Sequence, residues 1–222
     1  MDNDSVVRET EVFIKKRMDG EHTGHDWWHV QRVCQNALLI ARQEERPDLD
    51  LLVIRLSALL HDIDDWKFCD GDETVAPGQA RAWLEKLGVE KSVVEHVCQI
   101  ISNVSFQGAG VRNLMETREG MIVQDADRLD ALGAIGIARA FAYGGHKGQP
   151  LNDPRISPVY HATFEEYRSS KGTTINHFYE KLLLLKDQMN TETGRLLAQE
   201  RTEFMVTFLS QFREEWQGAE EF

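Results

Sequence analysis

The sequence predicts an all-α fold, and three observations carry that expectation. Apolar residues recur at three- and four-residue intervals along nearly the whole chain. No run of four to eight residues alternates as a half-buried strand would, and "GMIVQDA" is the one ambiguous stretch. Several apolar segments are closed by glycine or proline, at Gly20, Pro47, Gly88 and Gly144-Gly145.

The elements follow in order. "SVVRETEVFIKKRMDG" puts Val6, Val7, Phe13 and Ile14 on one side and stops at Gly20. "TGHDWWHVQRVCQNALLIARQEERP" spaces Val30, Val33, Ala37, Leu38 and Ala41 as a helix, with Thr23 or Asp26 as its cap. "DLDLLVIRLSALLHDIDDWKF" follows after a short link, so these two helices are expected to pack antiparallel. "PGQARAWLEKLG" opens on Pro77 and closes on Gly88. "EKSVVEHVCQIISNVS" is the next helix, and "REGMIVQDADRLDALGAIGIARAFAYGG" reads as one long helix rich in small residues. "TINHFYEKLLLLKDQMNTETGRLLAQERTEFMVTFLSQFREEW" reads as two more, for eight or nine in all. Residues 67–76, 106–117 and 144–160 read as loops, and the last is long enough to form a lid or a site wall. No repeat or linker divides the 222 residues, so a single domain is expected.

Composition narrows the partners. Apolar residues at 41% and charged residues at 28% are ordinary for a soluble globular protein. With 25 basic and 37 acidic residues the net charge is −12, so the surface does not attract polyanions. Bulk nucleic acid and anionic membrane are therefore not expected as partners, and an anionic ligand would need local positive charge. Cys34, Cys69 and Cys98 are scattered and odd in number, which suits free thiols in a reducing cytoplasm. The N-terminus has no basic-then-apolar leader pattern, and no apolar run approaches the ~20 residues of a membrane span.

Chemistry concentrates at three places. In "LSALLHDIDDW" an apolar helix ends in His61-Asp62, with Asp64 and Asp65 beyond. Chance alone supplies about 0.6 His-Asp pairs in such a chain, so the dipeptide says little by itself. Its position says more, because burying both groups requires a cation or hydrogen bonds in compensation. "WWHVQRV" sets His29 at the start of the preceding helix, and antiparallel packing would bring it beside His61-Asp62. "QDADRLDALG" places Asp125, Asp127 and Asp130 in a helix that otherwise reads as core, with Asp127 and Asp130 near one face. Structural alternatives stand beside each: a His-Asp pair at a helix end, a histidine wedged against Trp27 and Trp28, a charge network around Arg128. Two imidazoles with two carboxylates suit Mn, Fe, Co, Ni or Zn better than the all-oxygen shell of Mg or Ca.

His29, His61-Asp62 and Asp127 in "ADRLDA" together resemble the HD-domain superfamily of metal-dependent phosphohydrolases. The "ADRL" string is also similar to the hydrolase domain of the stringent-response ppGpp enzymes. "GHDWWHV", "LLHDIDDWKF" and "VQDADRLDALGAIGIARAF" resemble most a small bacterial HD group that includes nucleotide pyrophosphohydrolases. The resemblance implies an HD core over about residues 22–145 and a C-terminal helical extension over about 160–217. It implies His29, His61, Asp62 and Asp127 as ligands of one divalent metal, with Mn foremost and Fe, Co, Ni, Zn or Mg as alternatives. Only His96 lies between the central motif and the last Asp, so one ion is expected rather than two. Asp65 is the candidate to orient or deprotonate water, Arg32 and Lys67 are candidate phosphate contacts, and His25 is a candidate support for the ligands. His146, Lys147 and Arg155 could reach in from the long loop. The implied reaction is hydrolysis of an NTP or dNTP to the monophosphate and pyrophosphate. A nucleoside-monophosphate phosphatase, a phosphodiesterase and a non-catalytic nucleotide or metal sensor are the alternatives.

Overall fold

A computed structural model describes residues 1–20, 24–63, 75–105, 113–159 and 172–218. Among them the chain forms nine α-helices, one 3₁₀ segment and no strand. These are α1 (Asn3–Arg17), α2 (Trp27–Gln43), α3 (Leu51–Leu60), α4 (Val75–Lys86), α5 (Lys91–Val104), α6 (Arg118–Asp130), α7 (Gly133–His146), α8 (Thr174–Glu180) and α9 (Glu192–Gly218). The 3₁₀ segment covers Leu182–Gln188. The ambiguous "GMIVQDA" lies inside α6 and is helical.

α3 is the central rod. Its ten residues are apolar on almost every side, and a helix of that kind must be enclosed. α1, α2, α5 and α6 pack around it. Ile54, Leu56, Leu59 and Leu60 are fully buried there. Fully burying each such side chain stabilises the fold by about 1.5–3 kcal/mol before entropy is charged against it. α4 packs on α5, and Trp83 of α4 stacks on Phe13 of α1 with ring centroids 3.9 Å apart. The antiparallel α2–α3 pair forms as the short link predicts, so the start of α2 lies beside the end of α3.

Several helix starts are fixed by side-chain caps. Asp26 caps α2 by accepting the His29 backbone N–H at 2.9 Å, and Asp50 caps α3 by accepting from Leu52 and Val53. Thr23, the other cap candidate for α2, lies outside the described residues.

The structure corrects one element. The segment read as a single helix from 118 to 145 is two helices, α6 and α7, broken at Ala131 and Leu132. Gly133 has φ +69°, in the left-handed region that favours glycine. A Cβ on Gly136 would lie 2.1 Å from the Ala131 carbonyl oxygen, so α7 can leave in this direction only with glycine there. Arg201 of α9 donates to the Leu129 carbonyl at 2.6 Å, satisfying an end group of α6. Apolar small residues continue through the break, so periodicity alone does not reveal it.

The C-terminal helices close over α6 and α7. Phe178 of α8, Phe141 of α7 and Phe208 and Phe212 of α9 form an aromatic cluster with neighbouring centroids 6.0–6.5 Å apart. Within the long loop, the Pro150 and Leu151 carbonyls accept from Thr174 and Ile175, tying it to α8. No described helix is long and apolar enough to cross a membrane.

Candidate metal centre

Four side chains meet where α2 begins, α3 ends and α6 passes. His29 Nε2 lies 3.2 Å from His61 Nε2, 3.2 Å from Asp62 Oδ2 and 3.5 Å from Asp127 Oδ1. His61 Nε2 lies 3.6 Å from Asp62 Oδ2 and 3.7 Å from Asp127 Oδ1. Two donors each about 2.1 Å from one ion, separated by 90–109°, stand roughly 3.0–3.4 Å apart. Two of the observed spacings fall in that range and the other three lie within 0.3 Å above it.

The hydrogen bonds behind the ligands decide what the facing atoms are. His29 Nδ1 is 2.7 Å from Asp130 Oδ2, and His61 Nδ1 is 2.9 Å from the Ala58 carbonyl. Both partners are acceptors, so each ring donates from Nδ1 and turns an Nε2 lone pair toward the other. Two carboxylate oxygens join them. Four acceptors converging in a largely buried space repel one another unless positive charge lies among them. The residues present therefore fit a divalent ion, in the donor mixture that transition metals favour.

Electrostatics agree. Burial pushes the Asp62 carboxyl up, yet the neighbouring His61 and His25 imidazoles and the hydrogen bond with His25 pull it well below its usual value. Burial and Arg139 push His29 down, but the hydrogen bond to Asp130 and the nearby Asp62 carboxylate outweigh them and the net shift is upward. Burial raises Asp130, and the hydrogen bonds from His29 and Arg32 more than reverse it, so its carboxyl is held far below the ordinary range.

Asp127 is the most open of the four, with 28% of its side chain exposed, while His29 and His61 are enclosed. The site therefore reaches solvent on the Asp127 side.

The other candidates are placed as follows. His25 Nδ1 contacts Asp62 Oδ2 at 2.7 Å and so backs that ligand. Arg32 does not point freely outward: its Nε and Nη2 fork onto Asp130 at 2.7 and 3.0 Å. Asp65 and Lys67 lie outside the described residues. Lys147 sits over the Tyr143 ring and Arg155 pairs with Asp153, each within its own segment.

Asp125 faces away from the centre. It accepts from the Asn190 and Thr191 backbone N–H groups and from the Thr191 hydroxyl, all at 2.8–3.1 Å. It anchors the start of α9. Two supports are only weakly marked in the sequence. Asp130 is one carboxylate among three, and its partner His29 is 101 positions away. Arg139 donates to Asp130 at 3.1 Å, and its only local signal is a lone charge within the small-residue helix "GIARAFAYGG".

Comparison with known proteins follows the same lines. The HD domain family pattern matches residues 27–132. YpgQ of Bacillus subtilis (strain 168) is 37% identical over 208 residues, covering 93% of this chain and 92% of YpgQ. A crystal structure from Lactobacillus plantarum superposes with a TM-score of 0.86 at 37% identity, over 98% of this chain and 100% of that one. An HD-superfamily hydrolase from Bacillus thuringiensis superposes at 0.73 with 40% identity, over 97% of this chain and 99% of the hydrolase. YpgQ has also been solved in complex with ADP; that structure superposes at 0.72 with 34% identity, over 94% of this chain and 97% of YpgQ. Likeness of this extent runs through backbone and sequence alike, well past the matched pattern at both ends, and it makes the chain a member of the HD-domain superfamily of metal-dependent phosphohydrolases.

Proposed function

We propose that this chain is a cytoplasmic metal-dependent nucleotide phosphohydrolase. Its reaction is cleavage of an NTP or dNTP to the monophosphate and pyrophosphate. The observation that carries the reading is the pair of Nε2 lone pairs facing two carboxylate oxygens at 3.2–3.7 Å. Mn is the expected ion, with Fe, Co, Ni, Zn or Mg as alternatives. When bound, it supplies a Lewis acid for a phosphate oxygen and acidifies water.

The chain's own residues do the rest. His29, His61, Asp62 and Asp127 hold the ion. Asp130 keeps the His29 Nδ1 proton in place, so that Nε2 stays a donor of its lone pair. Asp65 orients the attacking water, and Lys67 contacts the phosphate. Arg32 holds Asp130 with two nitrogens, and its part-exposed side chain stays the second candidate contact for the phosphate. With a net charge of −12, the chain has little general attraction for a polyphosphate, and the local cation supplies what the surface lacks. The ADP complex of YpgQ supports a nucleotide ligand here by likeness.

The test is a panel of NTPs, dNTPs, nucleoside monophosphates and cyclic dinucleotides, run on metal-stripped protein with and without Mn. Phosphate and pyrophosphate are scored separately. Mn-dependent pyrophosphate release is expected, and Asp62→Ala should abolish it. Phosphate release from monophosphates, or opening of a cyclic dinucleotide, would move the substrate to the alternatives. Bound metal with no turnover on the panel would replace the enzyme reading with a sensor.

A further inference from the structure

Arg139 reaches two supports of the metal centre at once. Its Nη1 donates to Asp130 Oδ2 at 3.1 Å, and its Nε donates to the Gly24 carbonyl at 2.8 Å. From Asp130 the contact continues to His29 Nδ1 at 2.7 Å. From Gly24 the chain passes directly to His25, whose Nδ1 lies 2.7 Å from Asp62 Oδ2. One guanidinium thus stands behind two of the four converging atoms, by two separate routes.

The local backbone is shaped for this contact. Gly24 has φ +92°, a conformation that other residues rarely adopt. A Cβ there would sit at ordinary contact, 3.4 Å, from the Arg139 Cγ and Nε, so the backbone angle rather than a lack of room is what calls for glycine. The Arg139 side chain is only 15% exposed, which limits the positions its fork can take. Arg32 grips Asp130 independently through Nε and Nη2. Asp130 therefore keeps a cationic partner if Arg139 is removed, and what is lost is the tie between Asp130 and the Gly24–His25 segment.

We propose that Arg139 is a positioning residue for the metal centre, clamping His29 through Asp130 and Asp62 through Gly24 and His25. The inference rests on the metal reading above. It requires a forked, planar donor, because a single ammonium cannot reach two acceptors in divergent directions with the same geometry.

The experiment measures Mn binding to metal-stripped protein from the electron paramagnetic resonance signal of free Mn, alongside melting temperature. The proteins are the unaltered chain, Arg139→Met, Arg139→Lys and Arg201→Met. Arg201 is the control: it is a part-buried arginine that donates to the Leu129 carbonyl and to Asn36, with no hydrogen bond to a ligand or to Asp130 and only a through-space charge interaction with Asp130. Arg139→Met should weaken Mn binding by up to about tenfold, the lower end of the effect of removing a ligand's direct hydrogen-bonding support, because Arg139 stands one step behind those supports. Arg139→Lys should recover part of that loss, and Arg201→Met should lower the melting temperature without moving the affinity. A folded Arg139→Met that binds Mn as the unaltered chain does overturns the proposal, and full recovery by lysine overturns the two-armed clamp. If Arg139→Met does not fold, Arg139→Lys decides by the same comparison. No Mn uptake by the unaltered chain would sink the metal reading and this inference together; equal uptake by both sinks the inference alone.

Discussion

Asp125 and Asp127 are two positions apart, which on a helix turns one carboxylate about 200° from the other. One serves the start of α9 and the other faces the metal centre. Sequence spacing separates them without saying which is which, and the choice of Asp127 depends on the "ADRL" match. His29, His61 and Asp62 are legible because each sits at a helix end next to an apolar run. The supports behind them are less so: Asp130 shows itself as a carboxylate, but its bonds to His29, Arg32 and Arg139 are made in three dimensions. Away from the site, Cys34 shows how burial dominates the state of a thiol. Its thiol is pushed from 9.0 up to about 11, chiefly by burial. The fold favours the neutral thiol, so any stability tied to it is complete below pH 9 and falls as pH climbs toward 11. Iodoacetamide at pH 8 should therefore leave Cys34 unlabelled in the folded chain and label it once unfolded, as read by peptide mass. Rapid labelling of Cys34 under native conditions would contradict the buried placement.

At the scale of elements, the helices other than the one at 118–145 follow the periodicity with ends shifted by a few residues. The exceptions have identifiable causes. α6 and α7 separate because Gly133 and Gly136 permit a turn that apolar composition hides. The tail read as two helices contains α8, a 3₁₀ segment and α9, because Leu182–Gln188 tightens between them. The join of α6 to α9 depends on a small residue at 194. A Cβ on Gly194 would lie 2.4 Å from Asp125 Oδ2 and 2.7 Å from Thr191 Oγ1. Both atoms are held by other hydrogen bonds, so neither yields cheaply. Gly194→Ala should destabilise the protein by about 1–3 kcal/mol through overpacking, lowering the melting midpoint by roughly 3–10 °C. An unchanged midpoint would mean that the Asp125 anchor gives way at little cost.

For the molecule as a whole, residues 27–132 carry the family pattern but do not enclose their own core. α9 contributes Ala198, Met205 and Leu209 to the buried interior, and α8 contributes Phe178. Ending the chain at residue 171 strips that cover from α6 and α7 and leaves Asp125 without the Asn190 and Thr191 donors. Such a fragment should lose its near-ultraviolet circular dichroism signal, bind a hydrophobic dye and show no cooperative melt. A sharp melt with Mn uptake intact would show instead that the first seven helices are self-sufficient.

The anchoring of α6 by Asn190 and Thr191 also sets an order in time. Synthesis delivers α2 and α3 early, yet their histidines stay without Asp127 and Asp130 until α6 has emerged, and α6 is secured only after residue 191 is made. Contacts of such long sequence separation form late. A growing polypeptide therefore carries three of the four converging side chains, His29, His61 and Asp62, long before Asp127 joins them, and the cluster is complete only once the start of α9 has been made.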